Sequence, residues 1–459
     1  MNYISTRGEA PPVSFEEALL RGLAPDGGLY MPAHWPQLPE GWQEEMKDAP
    51  YTDFAYLVAE AFAGESFGAE ELRAIVARAY AGFDDPAVAP LRELDDGLYL
   101  LELFHGPTFA FKDFAMQMLG HLFEAALTRR GERRTIVVAT SGDTGAAAVE
   151  AFAARAGVDL FVMHPEGRIS DAQRRQMTTC TAANVHNIAV KGSFDDCQRV
   201  LKALFADDGF REDVSLGAVN SINWARIMAQ TAYYLSTLAR LGHVAAFSVP
   251  TGNFGDIFAG YVAKRMGAEL GPLVIATNTN DILHRTLKTG IYKVEGTSPT
   301  LSPAMDIQVA SNFERLLFDL MDGNPAALKT QMGSLAATGA FALDPAAHER
   351  MRHMFHSARV SDDEILAEIA RAFEAYGVLI DPHTAVGLRA EREGLAGVPA
   401  PHVVLSTAHP AKFADTVERA TGQIPQIPAK LAGAMTAEER FDVLPPDEGG
   451  IMDYVRARI

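Results

Sequence analysis

A lysine at position 112 lies inside an apolar and aromatic run, His105-Gly106-Pro107-Thr108-Phe109-Ala110-Phe111-Lys112-Asp113-Phe114. Burial in such surroundings disfavours the ammonium, so a nucleophilic amine is physically available there. The other reading is a lysine that reaches solvent or pairs with Asp113. Three further segments have the composition of anion seats. In Ala139-Thr140-Ser141-Gly142-Asp143-Thr144-Gly145, backbone N–H groups and the hydroxyls of Ser141 and Thr144 would gather where an alanine-rich helix begins. In Pro250-Thr251-Gly252-Asn253-Phe254-Gly255-Asp256, two glycines let amides approach a phosphate closely. That loop lacks the lysine of a Walker A motif and the third glycine of a dinucleotide fingerprint, so it suits a small phosphorylated ligand. In Asn220-Ser221-Ile222-Asn223-Trp224-Ala225-Arg226, amides, a hydroxyl and a guanidinium share one helix start. A fourth junction, Ser406-Thr407-Ala408-His409-Pro410-Ala411-Lys412, brings hydroxyls and a histidine to a helix start. Ordinary helix capping is the competing explanation for these segments, except the glycine loop, where it is a tight turn.

The elements that must position them are short apolar runs followed by glycine-containing turns and alanine-rich helical stretches. Strands are predicted at residues 135–139, 159–163, 185–190, 245–249, 273–276 and 402–405, with a further apolar run at residues 100–104. Strands alternating with helices imply parallel α/β layers, in which ligands bind beyond the carboxyl ends of the strands. Residues 54–80 read as two amphipathic helices broken near Gly64 and Gly68, residues 293–303 as a loop, and residues 344–377 as helical. The division expected is an N-terminal cap at residues 1–97 packed on the large domain, a smaller α/β domain at 98–218 and a large one at 219–459.

The composition narrows the function classes. Lys and Arg total 40 against 59 Asp and Glu, a net charge of −19, which repels a nucleic-acid backbone and leaves an anionic substrate dependent on a local pocket. With 48% hydrophobic and 22% charged residues the chain reads as globular. Two cysteines exclude a disulfide framework, and neither a secretory signal nor an 18-residue apolar run is apparent, so a cytoplasmic protein without membrane contact is expected. No metal site is indicated: the histidines show no ligand spacing, and His353 with His356 read as surface residues of a helix. No Gly-x-Ser-x-Gly elbow marks a hydrolase.

Taken together, the start Tyr3-Ile4-Ser5-Thr6-Arg7-Gly8, the stretch Ala24-Pro25-Asp26-Gly27-Gly28-Leu29-Tyr30-Met31-Pro32 and the segments above resemble the threonine synthases, in their longer branch with an N-terminal cap. The resemblance implies an α/β fold of two open twisted sheet domains of the tryptophan-synthase-β kind, pyridoxal-phosphate fold type II, with an N-terminal helical cap. It implies pyridoxal 5'-phosphate as cofactor, and O-phospho-L-homoserine and water as reactants giving L-threonine and phosphate. Residue by residue, it makes Lys112 the Schiff-base lysine and base. Gly252, Asn253, Phe254, Gly255 and Asp256 become the loop for the cofactor phosphate, and Thr407 the hydroxyl facing the pyridine nitrogen. Ser141 and Thr144 would lie beside the substrate, and Asn220, Ser221 and Arg226 would clamp its phosphate. Relatives of this fold type often carry Asn where Asp143 stands, so Asp143 receives no role from its position. A monomer is expected. The alternatives are a phospholyase or a threonine or serine dehydratase of the same fold type, and a non-catalytic phosphate-metabolite sensor; the intact lysine disfavours the sensor.

Overall fold

Wholly apolar strand runs imply sheets covered on both faces, and the computed structural model, which describes all 459 residues, contains two of them. The larger runs in the order Phe355–Arg359, Leu273–Thr277, Ala246–Pro250, His402–Ser406, Leu98–Glu102, Leu91–Asp95. It is parallel except for its last pair, an antiparallel hairpin. The smaller runs Asp442–Leu444, Val185–Val190, Val158–Pro165, Arg134–Ala139, Leu216–Gly217 and is parallel throughout. The cap adds helices Tyr51–Ala63 and Ala69–Tyr80, broken where the glycines stand. Its anchor is Trp224, a fully buried ring that opens helix Trp224–Leu241 and is met by Tyr3, Trp35 and Phe62 at centroid distances of 6.2, 6.1 and 5.4 Å. Aromatic contacts of this edge-on and tilted kind add to the burial of apolar area.

Sheet membership departs from the expected division. Leu91–Asp95 and Leu98–Glu102, expected in the cap and the smaller domain, belong to the six-stranded sheet, because Leu98–Glu102 takes its parallel partner from His402–Ser406. Asp442–Leu444, expected in the large domain, pairs with Val185–Val190. Helix Glu448–Arg456 follows it and buries Ile451 and Val455 in the same core as Val190, Cys197 and Val200. The smaller unit is therefore closed by the end of the chain.

The helical reading of residues 344–377 is also corrected. Helices Pro345–Met354 and Asp362–Tyr376 flank a strand, Phe355–Arg359, which pairs with Leu273–Thr277. His356 lies in that strand and donates from Nδ1 to the Gly394 carbonyl at 2.6 Å, while His353 is exposed. The expected loop at 293–303 begins as the end of strand Ile291–Lys293 and closes into a short 3-10 turn, Pro303–Met305.

Candidate active site

The polar segments follow the carboxyl ends of Leu98–Glu102, Arg134–Ala139, Leu216–Gly217, Ala246–Pro250 and His402–Ser406. They meet at one cleft of 560 Å³. Lys112, Ser141, Thr144, Asn220, Ser221, Arg226, Thr407 and each residue from 252 to 256 line it.

Lys112 is the first residue of helix Lys112–Arg130. The approach to that helix is fixed by its neighbour: Asp113 accepts the Thr108 N–H at 2.8 Å and the Thr108 hydroxyl at 2.7 Å. Phe111 N–H donates to the Thr407 carbonyl at 2.9 Å, tying this loop to the end of His402–Ser406. Asp113 is thereby occupied, and burial pushes its carboxyl up to about 6. The carboxylate nearest the Lys112 amine is instead Asp143, Nζ to Oδ2 3.8 Å, with the Lys112 side chain only 12% exposed. Burial pulls the Lys112 ammonium below its ordinary range; Asp143 opposes this, and the cations of Arg226 and Lys412 reinforce it.

Thr140 explains the loop at residues 141–144. Its hydroxyl oxygen accepts the N–H groups of Gly142 and Gly145, both at 2.9 Å, and so caps helix Asp143–Phe152. Ser141 and Thr144 are thus relieved of capping and face the cleft. Gly142 has φ 137°, and a Cβ there would lie 2.4 Å from the Gln173 side chain. Asp143 accepts from Gln173 Nε2 at 3.0 Å and from Lys412 Nζ at 2.7 Å. Burial alone would raise the Asp143 carboxyl, but the two lysines outweigh it and hold it far below the usual carboxylate range.

In the glycine loop Phe254 takes φ 64° and turns the chain into helix Gly255–Arg265. The N–H groups of residues 252–256 meet no acceptor within the protein, so consecutive donors converge on the cleft. A Cβ at Gly252 would lie 2.8 Å from the Ala304 carbonyl oxygen, so only glycine fits against that turn. Ala304 is held in turn by His383, whose Nε2 accepts its N–H at 3.3 Å, while His383 Nδ1 donates to Asp381 Oδ2 at 2.7 Å. Asp256 accepts from the hydroxyls of Tyr233 and Tyr234, and burial pushes its carboxyl up to about 7.

The segment before helix Trp224–Leu241 is capped by Asn223, whose side chain accepts the Ala225 N–H at 3.1 Å. Ser221 is therefore not the cap, and Arg226 is not solvated: it is 4% exposed, and burial lowers its guanidinium to about 10. Arg226 Nε and Asn220 Oδ1 are both buried without a protein partner. Asn312 Nδ2 donates to the carbonyls of Ser221 at 2.9 Å and Asn253 at 3.2 Å, locking these two segments to each other. The buried Arg315 donates to the carbonyls of Tyr30 and Ile222, tying the cap to the same segment.

Lys412, Asp381, His383, Asn312 and Arg315 were not singled out from the sequence. Lys412 alone left a sign, a lysine in Pro410-Ala411-Lys412-Phe413 directly past a strand end. The donor set fits pyridoxal phosphate: unpartnered amides at a helix N-terminus for a phosphate, a buried amine for its aldehyde, and a separate orphaned guanidinium for a second anion.

Comparison with known proteins agrees with that chemistry. Residues 2–80 match the model for the threonine synthase N terminus, 86–407 that for pyridoxal-phosphate dependent enzymes, and 384–455 that for the threonine synthase C-terminal region. The chain is 48% identical to threonine synthase of Pseudomonas aeruginosa over 99% of its length and 98% of the relative's. It is 44% identical to that of Schizosaccharomyces pombe over 100% and 95%. The crystal structure of PLP-bound threonine synthase from Brucella melitensis superposes with a TM-score of 0.96 at 48% identity, covering 100% of this chain and 99% of that one. With a match of this length and a cleft whose donors suit the cofactor, the chain belongs to the threonine synthase family of pyridoxal-phosphate-dependent lyases.

Proposed function

We propose that Lys112 anchors the cofactor and then carries protons in the conversion of O-phospho-L-homoserine and water to L-threonine and inorganic phosphate. The observation that carries this reading is Arg226, a buried guanidinium with an unpartnered Nε on the same cleft as the Lys112 amine. A simple hydroxy amino acid has no group for it, whereas a phosphorylated substrate does. Bound in the cleft, pyridoxal phosphate would supply an electron sink conjugated to the substrate's α-carbon.

The chain's own residues divide the remaining work. The amides of residues 252–256 would hold the cofactor phosphate, and the Thr407 hydroxyl would face the ring nitrogen. A threonine hydroxyl is a weak acid that donates a hydrogen bond without giving up its proton, which restrains the sink. Ser141, Thr144 and the N-terminus of helix Asp143–Phe152 would receive the substrate carboxylate. Arg226, with Asn220 and Ser221, would hold the departing phosphate and offset its charge as the Cγ–O bond breaks. Lys112, whose ammonium form burial disfavours, would take protons from Cα and Cβ and return them at Cγ and Cα. Water would then add at Cβ.

The test is incubation of the holoenzyme with O-phosphohomoserine, measuring threonine, 2-oxobutyrate and phosphate together. Equal threonine and phosphate are expected; phosphate with 2-oxobutyrate and no threonine would overturn the reading in favour of a phospholyase. We further propose a monomer, for which sedimentation as a single chain is expected. A cytoplasmic location is supported by two cysteines that are both free. No helix is long and apolar enough to cross a membrane.

A further inference from the structure

Two lysines face one carboxylate, Asp143, which lines the cleft. Lys412 Nζ lies 2.7 Å from Asp143 Oδ1, and Lys112 Nζ lies 3.8 Å from Asp143 Oδ2. The three side chains arrive from separate places: the turn after His402–Ser406, the first turn of Asp143–Phe152 and the first turn of Lys112–Arg130. Lys412 has a fully buried side chain and also donates to the Thr108 carbonyl at 2.8 Å, in the loop that leads to Lys112. It therefore touches both the carboxylate and the approach to the reacting amine.

A lone carboxylate beside a buried lysine would hold that lysine as its ammonium partner, and an ammonium cannot accept a proton. Here the shorter contact goes to Lys412. The charge of Asp143 is already matched, and the Lys112 amine faces a nearly neutral pair together with the cationic Arg226. We propose that Lys412 is a positioning residue for the reaction: by holding Asp143 it prevents that carboxylate from capturing Lys112, which keeps the Lys112 amine free to carry protons. The inference rests on the reading of Lys112 as the base. The charged groups around Lys112 are Asp143, Arg226, Lys412 and Asp256; those around Lys412 are Asp143, Asp113 and His409 of its own turn.

The simpler role for Lys412 is a tether joining the end of the larger sheet to a helix of the smaller unit. The two roles differ in what Lys112 does with pH. Cofactor-stripped protein is labelled with cyanate, which reacts with the neutral amine, across a pH series, and carbamylation of Lys112 is read by peptide mass spectrometry. The pH profile of kcat is measured on the holoenzyme, because the Lys112 amine is free to titrate only once substrate is bound. Lys412→Met removes a cation that lowers the Lys112 ammonium and releases a carboxylate that raises it. Both the labelling midpoint and the acid limb of kcat are therefore expected to move to higher pH, by about one unit or more. Lys412→Arg restores both. Asp143→Asn removes the counter-charge and moves the Lys112 midpoint down. An unchanged midpoint in Lys412→Met, with only a lower melting temperature, makes Lys412 a tether and overturns the proposal. If Lys412→Met does not fold, an unchanged midpoint in Asp143→Asn overturns it instead. The labelling does not depend on turnover, so its outcome stands apart from Lys112→Ala, where retained turnover would defeat the base assignment itself.

Discussion

An arginine buried without a carboxylate is a liability to the free protein and an asset to a protein that must hold a dianion. Arg226 has that position, with Nε unpartnered and 4% of the residue exposed. Replacing even a buried ion pair with apolar side chains of similar volume is often neutral or stabilising by about 1–4 kcal/mol, and an unpaired buried charge has no partner to offset its desolvation. Losing one partner of a buried charge pair with a ligand costs about 2–5 kcal/mol of binding. Arg226→Met is therefore expected to raise the melting temperature of the substrate-free enzyme while raising KM for O-phosphohomoserine roughly 30-fold or more. Thermal unfolding and steady-state kinetics on the same preparation check both halves, and a lower melting temperature would contradict the first. The sequence made Lys112 and the glycine loop legible because each follows an apolar strand run, where chemistry concentrates, and Arg226 because amides, a hydroxyl and a guanidinium share one helix start. It showed Lys412 only as a lysine past a strand end and did not reveal its carbonyl partner, Thr108, 304 residues away. Neither did it reveal Arg315, whose acceptor Tyr30 is 285 residues away. Their significance is wholly one of tertiary contact, with no local pattern to mark it.

At the level of elements, the start of helix Asp143–Phe152 depends on one hydroxyl. Thr140→Val keeps the shape but removes the acceptor of two 2.9 Å bonds. A loss of about 1–2 kcal/mol is expected, as for other capping residues, read as a lower denaturant midpoint. Because the freed amides then compete for the Ser141 and Thr144 hydroxyls, KM should rise as well. The glycine loop fails differently. Gly252→Ala would push a methyl group to 2.8 Å from the Ala304 oxygen, against a turn that His383 and Asp381 hold in place. Cofactor affinity, followed by fluorescence titration, should fall by an order of magnitude or more, about 1.4 kcal/mol per tenfold. Expected strands such as 135–139 and 402–405 lie inside observed strands that extend them by a residue. Their unbroken apolar runs suit sheets covered on both faces. Strand Phe355–Arg359 escaped notice because it carries a histidine, a serine and an arginine in five residues and owes its extended form to pairing with Leu273–Thr277.

Across the whole molecule, charge and connectivity separate surface from site. The net charge of −19 describes the solvated exterior, while the proposed phosphate seats would draw on amides, Arg226 and the buried lysines. The connectivity is less expected: the chain leaves the larger sheet after His402–Ser406 and ends by adding a strand and a helix to the smaller one. Burying Ile451 and Val455 is worth about 3–6 kcal/mol together. Deleting residues 437–459 is therefore expected to lower the melting temperature sharply and to leave Val185–Val190 as a bare, aggregation-prone edge, visible by light scattering. The domain division was poorly legible because a boundary drawn along the sequence cannot anticipate a sheet completed by distant residues. The same threading sets an order of events during synthesis. Leu98–Glu102 must wait for its parallel partner His402–Ser406 to emerge, a delay of roughly 300 residues or about 15–60 s at about 5–20 residues per second. Until then the nascent chain carries its phosphate seats in pieces, and a ribosome-bound chain stalled before residue 402 should fail to retain cofactor that the released, finished chain holds.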